Sequence, residues 1–166
     1  MTRRYALIEV AVEAGVTTIT LSNPQRKNAI GPRMVNELLW ALADAEADAE
    51  TRVTVLTGQG DAFAAGGDFS QMSGPGDVPE LPPKGDYADL LLALWRAEKP
   101  TVAKVNGVAM GGGLGLVAAC HFAIGSDAAK LGTPEINVGL FPMMIMAVLS
   151  RLVPRRRLVD MMLLGD

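Results

Sequence analysis

Two glycine-rich stretches carry the chemistry that this sequence offers. TGQGDAFAAGGDFS at 57–70 and GGGLG at 111–115 each follow an apolar strand-like run, and a helix follows the second. Glycine adopts positive φ and lets another group approach the backbone closely, so N–H groups in such loops can be left to point at a ligand. Two such amides converging on one carbonyl oxygen would stabilise an oxyanion, and losing one donor of this kind costs about 3 kcal/mol of transition-state stabilisation. The residues also admit two other readings. Gly66-Gly67 could be a plain turn, with Gly111 to Gly113 a close helix–strand contact. GLGLVA at 113–118 fits the G-x-G-x-x-A dinucleotide fingerprint, with Asp127 or Glu135 downstream as ribose partner. That fingerprint lies mid-chain, not in a first strand unit, and leaves 57–70 without a role.

The elements that must position these loops follow from periodicity. Residues 5–12 and 16–21 are β-rich and flank Ala14-Gly15, a hairpin pattern that Ser22-Asn23-Pro24 ends. From Pro32, Val35, Leu38, Leu39 and Leu42 recur at i, i+3, i+4 and i+7, with acids on the other side up to Glu50, which predicts an amphipathic helix. A short strand at 53–57 leads into the first glycine stretch, and the Pro/Gly-rich segment at about 72–85 is expected to be mobile. Leu90, Leu91, Leu94 and Trp95 mark a second helix over 86–98, stopped by Pro100 before a strand at 101–105. After the Asn106-Gly107 turn and the second glycine stretch come a helix through 117–122, short strands at 124–126 and 130–132, and helices at 141–153 and from Pro154 onward. No internal repeat is evident. Strands alternating with helices imply an α/β fold with crossover connections, in which ligands bind at the C-terminal ends of strands. Trp40 and Trp95 read as helix–core anchors, and Cys120 and His121 as structural residues of a helix.

Bulk properties narrow the class. With 166 residues, 49% of them hydrophobic, and a mean hydropathy of +0.25, the chain can bury one core, so a single domain over 1–166 is expected. A net charge of −3 and a pI near 5.2 provide no basic field for nucleic acid, and the Arg155 to Arg157 cluster is short. The opening MTRRYALIEV lacks an apolar signal-peptide core, and no run reaches the ~18 apolar residues of a membrane span. One cysteine provides neither an internal disulfide nor metal-ligand spacing. A cytoplasmic protein without a metal is expected.

Taken together, NPQRKNAIG at 23–31, FAAGGDF at 63–69, KPTVAKVNGVAMGGGLGLVAACHFAIGS at 99–126 and GTPEINVGLFP at 132–142 closely resemble the enoyl-CoA hydratase/isomerase (crotonase) superfamily, in order and over nearly the whole chain. The resemblance implies a spiral of ββα turns that binds acyl-CoA thioesters and stabilises their enolates. It implies that Gly67 and Gly112 are the two oxyanion-hole amides. It also implies that the backbone from Ala65 through Asp68 to Phe69 cups the CoA moiety, and that Arg26 or Lys27 meets CoA phosphates. A solvated surface role is open to those two cations as well. Coenzyme A would arrive as part of the substrate, so no separate cofactor is expected.

In hydratase members one glutamate follows the GGG triplet and a second stands in the downstream PE pair. This sequence has Glu135 at the second position and Gly115 at the first. Water addition needs a group to orient and deprotonate water and a proton source for the α-carbon, whereas moving a double bond needs one base. Isomerase members resemble this single-glutamate pattern, so Glu135 would serve as acid/base, in an apolar setting of Val138, Leu140, Phe141, Met143, Met144 and Met146. The methionines read as plain core packing in preference to acyl-chain lining. Asp77, Glu80 or Asp86 could supply the missing carboxylate.

Family members also continue past VPRRRLVDMMLLGD into a helical segment that caps the site and packs subunits, while this sequence stops at Asp166. The expectation is therefore a crotonase-like core apparently lacking that segment, with the apolar surface from Phe141 to Leu164 covered in a homo-oligomer, a trimer or hexamer. The alternatives are a homologue that binds a CoA thioester without turnover and a dinucleotide-dependent oxidoreductase.

Overall fold

The computed structural model describes residues 3–68 and 81–165. Two strands followed by a helix is the unit that recurs along it: β1 Ile8–Glu13, β2 Val16–Leu21 and α1 Pro32–Ala47, then β3 Val53–Gly58, β4 Ala62–Ala64 and α2 Tyr87–Trp95. The next units are β5 Thr101–Val105, β6 Val108–Met110 and α3 Gly112–Ala119, then β7 Phe122–Gly125, β8 Leu131–Gly132, a 3-10 turn Pro134–Val138 and α4 Met143–Leu152, with α5 Arg155–Leu164 after them. From the second unit on, the two strands part. The first joins a five-stranded sheet in the order β1-β2-β3-β5-β7, and the second joins a three-stranded sheet in the order β4-β6-β8. The β1–β2 hairpin is antiparallel, turning through Ala14 and Gly15 at φ 49° and 83°, and every other strand pair is parallel.

Burial follows the side-chain periods. On β2 the inward positions are Thr17, Ile19 and Leu21, and on β3 Thr54 and Leu56. Helix α1 starts at Pro32, whose missing N–H falls among first-turn donors that lack intrahelical partners, and buries Met34, Val35, Leu38, Leu39 and Leu42. Each such aliphatic side chain contributes about 1.5–3 kcal/mol of burial. Glu37 departs from the expected outward face for acids. It is buried, accepting the Ala6 and Leu7 N–H groups and pairing with Arg33 at 3.2 Å, and so holds the segment that enters β1.

Several expectations need correction. Of the segment expected to be mobile, residues 81–85 are tied down: the Asn36 amide donates to the Leu81 and Pro82 carbonyls, and its oxygen accepts the Lys84 N–H at 2.7 Å. Residues 69–80 lie outside the described ones. Trp40 is no core anchor; its indole N–H donates to the Pro82 carbonyl, and Arg3 and Lys84 lie 3.9 and 4.0 Å from its ring centroid. Trp95 is 44% exposed. The second glycine stretch is mostly helix, since α3 begins at Gly112 and ends at Ala119, leaving Phe122 in β7. A Cβ on Gly113 would run into the Ala64 carbonyl, so glycine is what lets this helix lie against β4. His121 follows α3 and accepts the Thr101 N–H on Nδ1, while burial pushes the Cys120 thiol up to about 12, opposed by a hydrogen bond with Thr101. Both residues hold α3 to β5.

Candidate active site

Three parallel strands end together. Ala65 to Gly67 leave β4, Gly111 and Gly112 leave its neighbour β6, and Thr133 to Glu135 leave β8 on the far side of β6. Parallel strands share one C-terminal edge, so the three segments meet there, where open parallel sheets place ligands. They line a cavity of about 430 Å³ that includes Gly67, Gly112, Glu135, Tyr87, Phe141 and Met144. Strands β4 and β6 are too short to read from sequence, which is why the glycine stretches looked like loops leaving β3 and β5.

The backbone aims both glycine amides. Ile30 makes a parallel bridge with Gly67, donating to the Gly66 carbonyl at 2.7 Å and accepting the Asp68 N–H at 2.9 Å. The residue between those two partners presents its own N–H away from Ile30. At Gly66 φ is +110°, the turn that makes this bridge. Gly112 opens α3, so its N–H is one of the first-turn donors without an intrahelical acceptor, at the end of the helix that favours negative charge. Neither amide has a hydrogen-bond partner among the described residues. Two free N–H groups on one apolar cavity can receive a developing oxyanion.

Glu135 stands beside them, in the 3-10 turn that Pro134 starts, with Leu140 N–H bound to its carbonyl at 2.9 Å. Its carboxylate packs on Gly111: a Cβ at that residue, whose φ is +50°, would fall 2.7 Å from Oε1. Oε2 is buried without a partner among the described residues. Desolvation by burial pushes the carboxyl above its ordinary range, against a smaller opposing effect of its own backbone N–H. A carboxylate on a cavity with one oxygen buried and without a partner is a functional-site candidate. Of the apolar neighbours expected around it, Leu140, Phe141, Met143 and Met144 line the cavity, Val138 and Met146 do not, and Met143 and Met144 are exposed and not core.

The position of the other glutamate is closed. A Cβ on Gly115 would come 2.5 Å from Ile145 Cγ2 and closer still to the Tyr87 hydroxyl. Asp86, a candidate replacement, lines the cavity, but its Oδ1 accepts the Ala88 and Asp89 N–H groups as the N-cap of α2. Asp77 and Glu80 lie outside the described residues. Tyr87 is the site residue that sequence reasoning missed, although it stands at i−3 and i−4 from Leu90 and Leu91 and so on the inward stripe of α2.

The remaining candidates lie beside the cavity. Arg26 pairs with Asp68 at 2.8 Å, linking the NP turn to the AGGD turn through a carboxylate that is 1% exposed. Lys27 is exposed, in the left-handed region at φ 49°, and its carbonyl accepts the Ala65 N–H at 2.9 Å. Neither Arg26, Lys27, Ala65 nor Asp68 is among the cavity's lining residues, and Phe69 lies outside the described ones. The dinucleotide fingerprint fails sterically. Its Gly113 faces Ala64 and its Gly115 faces Tyr87 and Ile145, so both glycines serve packing and present no cradle to a phosphate.

Comparison with known proteins identifies the family and the fold. The enoyl-CoA hydratase/isomerase family model matches residues 11–166. A Thermus thermophilus protein named for enoyl-CoA hydratase is 37% identical over 163 residues, covering 94% of this chain and 63% of that one. A hydroxycinnamoyl-CoA hydratase-lyase of Pseudomonas fluorescens is 34% identical, over 84% of this chain and 52% of its own. The crystal structure of an enoyl-CoA hydratase subunit from Geobacillus kaustophilus superimposes with a TM-score of 0.85 at 32% identity, over 98% of this chain and 63% of that one. The chain thus spans between half and two thirds of these relatives. Its four strand–strand–helix units are the crotonase spiral, and the chain belongs to the enoyl-CoA hydratase/isomerase family.

Proposed function

We propose that this protein moves a proton on an enoyl-CoA thioester, with Glu135 as its single acid/base and the Gly67 and Gly112 amides as its oxyanion hole. The observation that carries this reading is that Glu135, one of whose carboxyl oxygens is buried without a partner among the described residues, lines the same cavity as Gly67 and Gly112. The carboxylate takes the α-proton, the C–H electron pair forms the enolate double bond, and the carbonyl π pair moves onto the thioester oxygen, where the two N–H groups stabilise it. In a 3-enoyl thioester the resulting dienolate takes the proton back from Glu135 at the γ-carbon, and the double bond moves. The closed space over Gly115 favours this isomerisation over hydration, because the second carboxylate that hydration uses has no room. The cytoplasm and an acyl-CoA partner, expected from the sequence, belong to the same proposal.

The test follows 3-enoyl-CoA and 2-enoyl-CoA by double-bond position and by water addition, with α-proton exchange into D2O for a saturated acyl-CoA. Isomerisation and exchange that disappear in Glu135→Gln are the expected result. Activity that survives in Glu135→Gln removes the mechanism, and binding of acyl-CoA with no reaction supports the binding homologue instead.

A further inference from the structure

One hydroxyl touches two features of the site. Tyr87 Oη donates to the Gly112 carbonyl at 2.5 Å, and it fills the space that any side chain on Gly115 would need. Gly112 lines the cavity with an N–H that has no partner among the described residues, and Gly111 before it is held at φ +50° against Glu135, so a shift of Gly112 would move the amide and crowd the carboxylate together. Tyr87 is itself anchored: Asp86 caps its helix in a capping box with Asp89, and its ring lies in ordinary contact distance of Gly112, 3.5 Å from where a Cβ would be. Burial, and after it the Glu135 charge, raises the Tyr87 hydroxyl further above its usual value, so it stays a donor at any working pH.

We infer that Tyr87 is the positioning residue of the oxyanion hole, its hydroxyl standing in place of a side chain at 115 and fixing the Gly112 carbonyl, on the peptide that follows the one bearing the Gly112 N–H, so that Gly112 cannot turn that N–H away from the cavity. The inference rests on the enolate reading above and adds a residue that does not touch the reacting atoms. The peptide that bears the Gly112 N–H is held through its Gly111 carbonyl, which accepts the Gly115 N–H at 3.0 Å, and the peptide after it is held by Tyr87, so Gly112 is fixed on both sides and needs little reorganisation when charge develops on the thioester oxygen.

Two readouts test it on the full chain: the carbonyl stretch of a bound ¹³C-thioester acyl-CoA, and α-proton exchange into D2O. Tyr87→Phe keeps the ring and removes one hydrogen bond, so exchange should fall roughly tenfold in kcat, with KM within about twofold and a smaller red shift of the carbonyl band. Gly115→Ala should produce the same pair of changes, because its methyl group displaces the same hydroxyl, and a lower melting temperature besides, because that methyl also meets Ile145 Cγ2 at 2.5 Å. The double variant should be no worse than either single one, as for two changes that act through one contact. An unaltered band and kcat in Tyr87→Phe overturn the inference, as do additive losses in the double variant or a loss seen only in melting temperature. A wild-type protein with neither exchange nor a red-shifted band would instead overturn the enolate reading.

Discussion

Glu135 keeps one carboxyl oxygen buried and unpartnered, so charging it is harder in the folded protein than in the unfolded chain. The sign of the linkage follows. Below the ordinary carboxylate range both states hold the proton and ionisation has no weight in stability; as pH rises through the window up to the raised folded value, the unfolded chain ionises first and stability declines. Glu135→Gln should therefore melt higher than wild type near neutrality and level with it at low pH, and thermal melts across that range check this. The α-proton exchange should switch on with an acid limb above the usual carboxylate pKa, and a limb at the ordinary value would contradict the role of burial. Gly111→Ala places a methyl 2.7 Å from the carboxylate and forces a non-glycine residue to φ +50°. It should destabilise by about 1–3 kcal/mol and cut exchange by about 100-fold or more, as a displaced reactive group does.

At the scale of elements, α2 carries the link between fold and site. Asp86→Ala removes both cap bonds and should cost about 1 kcal/mol, a fall of about 2–4 °C in melting temperature, with a partial loss of exchange as Tyr87 loosens. Equal melting curves would show that the cap holds nothing. The inward stripe of this helix was legible from Leu90, Leu91 and Leu94, and so was the hairpin from Ala14-Gly15, because 3.6- and 2-residue periods persist over whole turns and strands. Strands β4 and β6 were not, since three residues show no period, and the glycines around them read as loop. The roles of Gly113 and Gly115 are set by what packs on them from Ala64 and Tyr87, separated by tens of residues in the chain, which no local pattern encodes. Glu135 was singled out by its PE motif, whereas Tyr87 lay in a helix read only for its core face.

For the molecule as a whole, the unpartnered surface decides behaviour in solution. β7 is the last strand of the five-stranded sheet and is exposed along its length, with Phe122 at 61% and Ile124 at 67% exposure. Leu152, Leu163 and Leu164 on α4 and α5 are likewise more than half exposed. An open strand edge bearing large apolar side chains is a template for another chain, and monomers rarely leave such patches uncovered. Copies of this chain should therefore associate, as a trimer or hexamer or by less ordered contact through the β7 edge. Light scattering at micromolar concentration should report a mass well above that of one chain. A charge on the edge, Ile124→Lys, should shift the distribution toward smaller species without altering the cavity, because Ile124 is not among its lining residues. A monodisperse monomer in the wild type, or an assembly indifferent to Ile124→Lys and to a second edge change, Phe122→Asp, would exclude this edge as the contact.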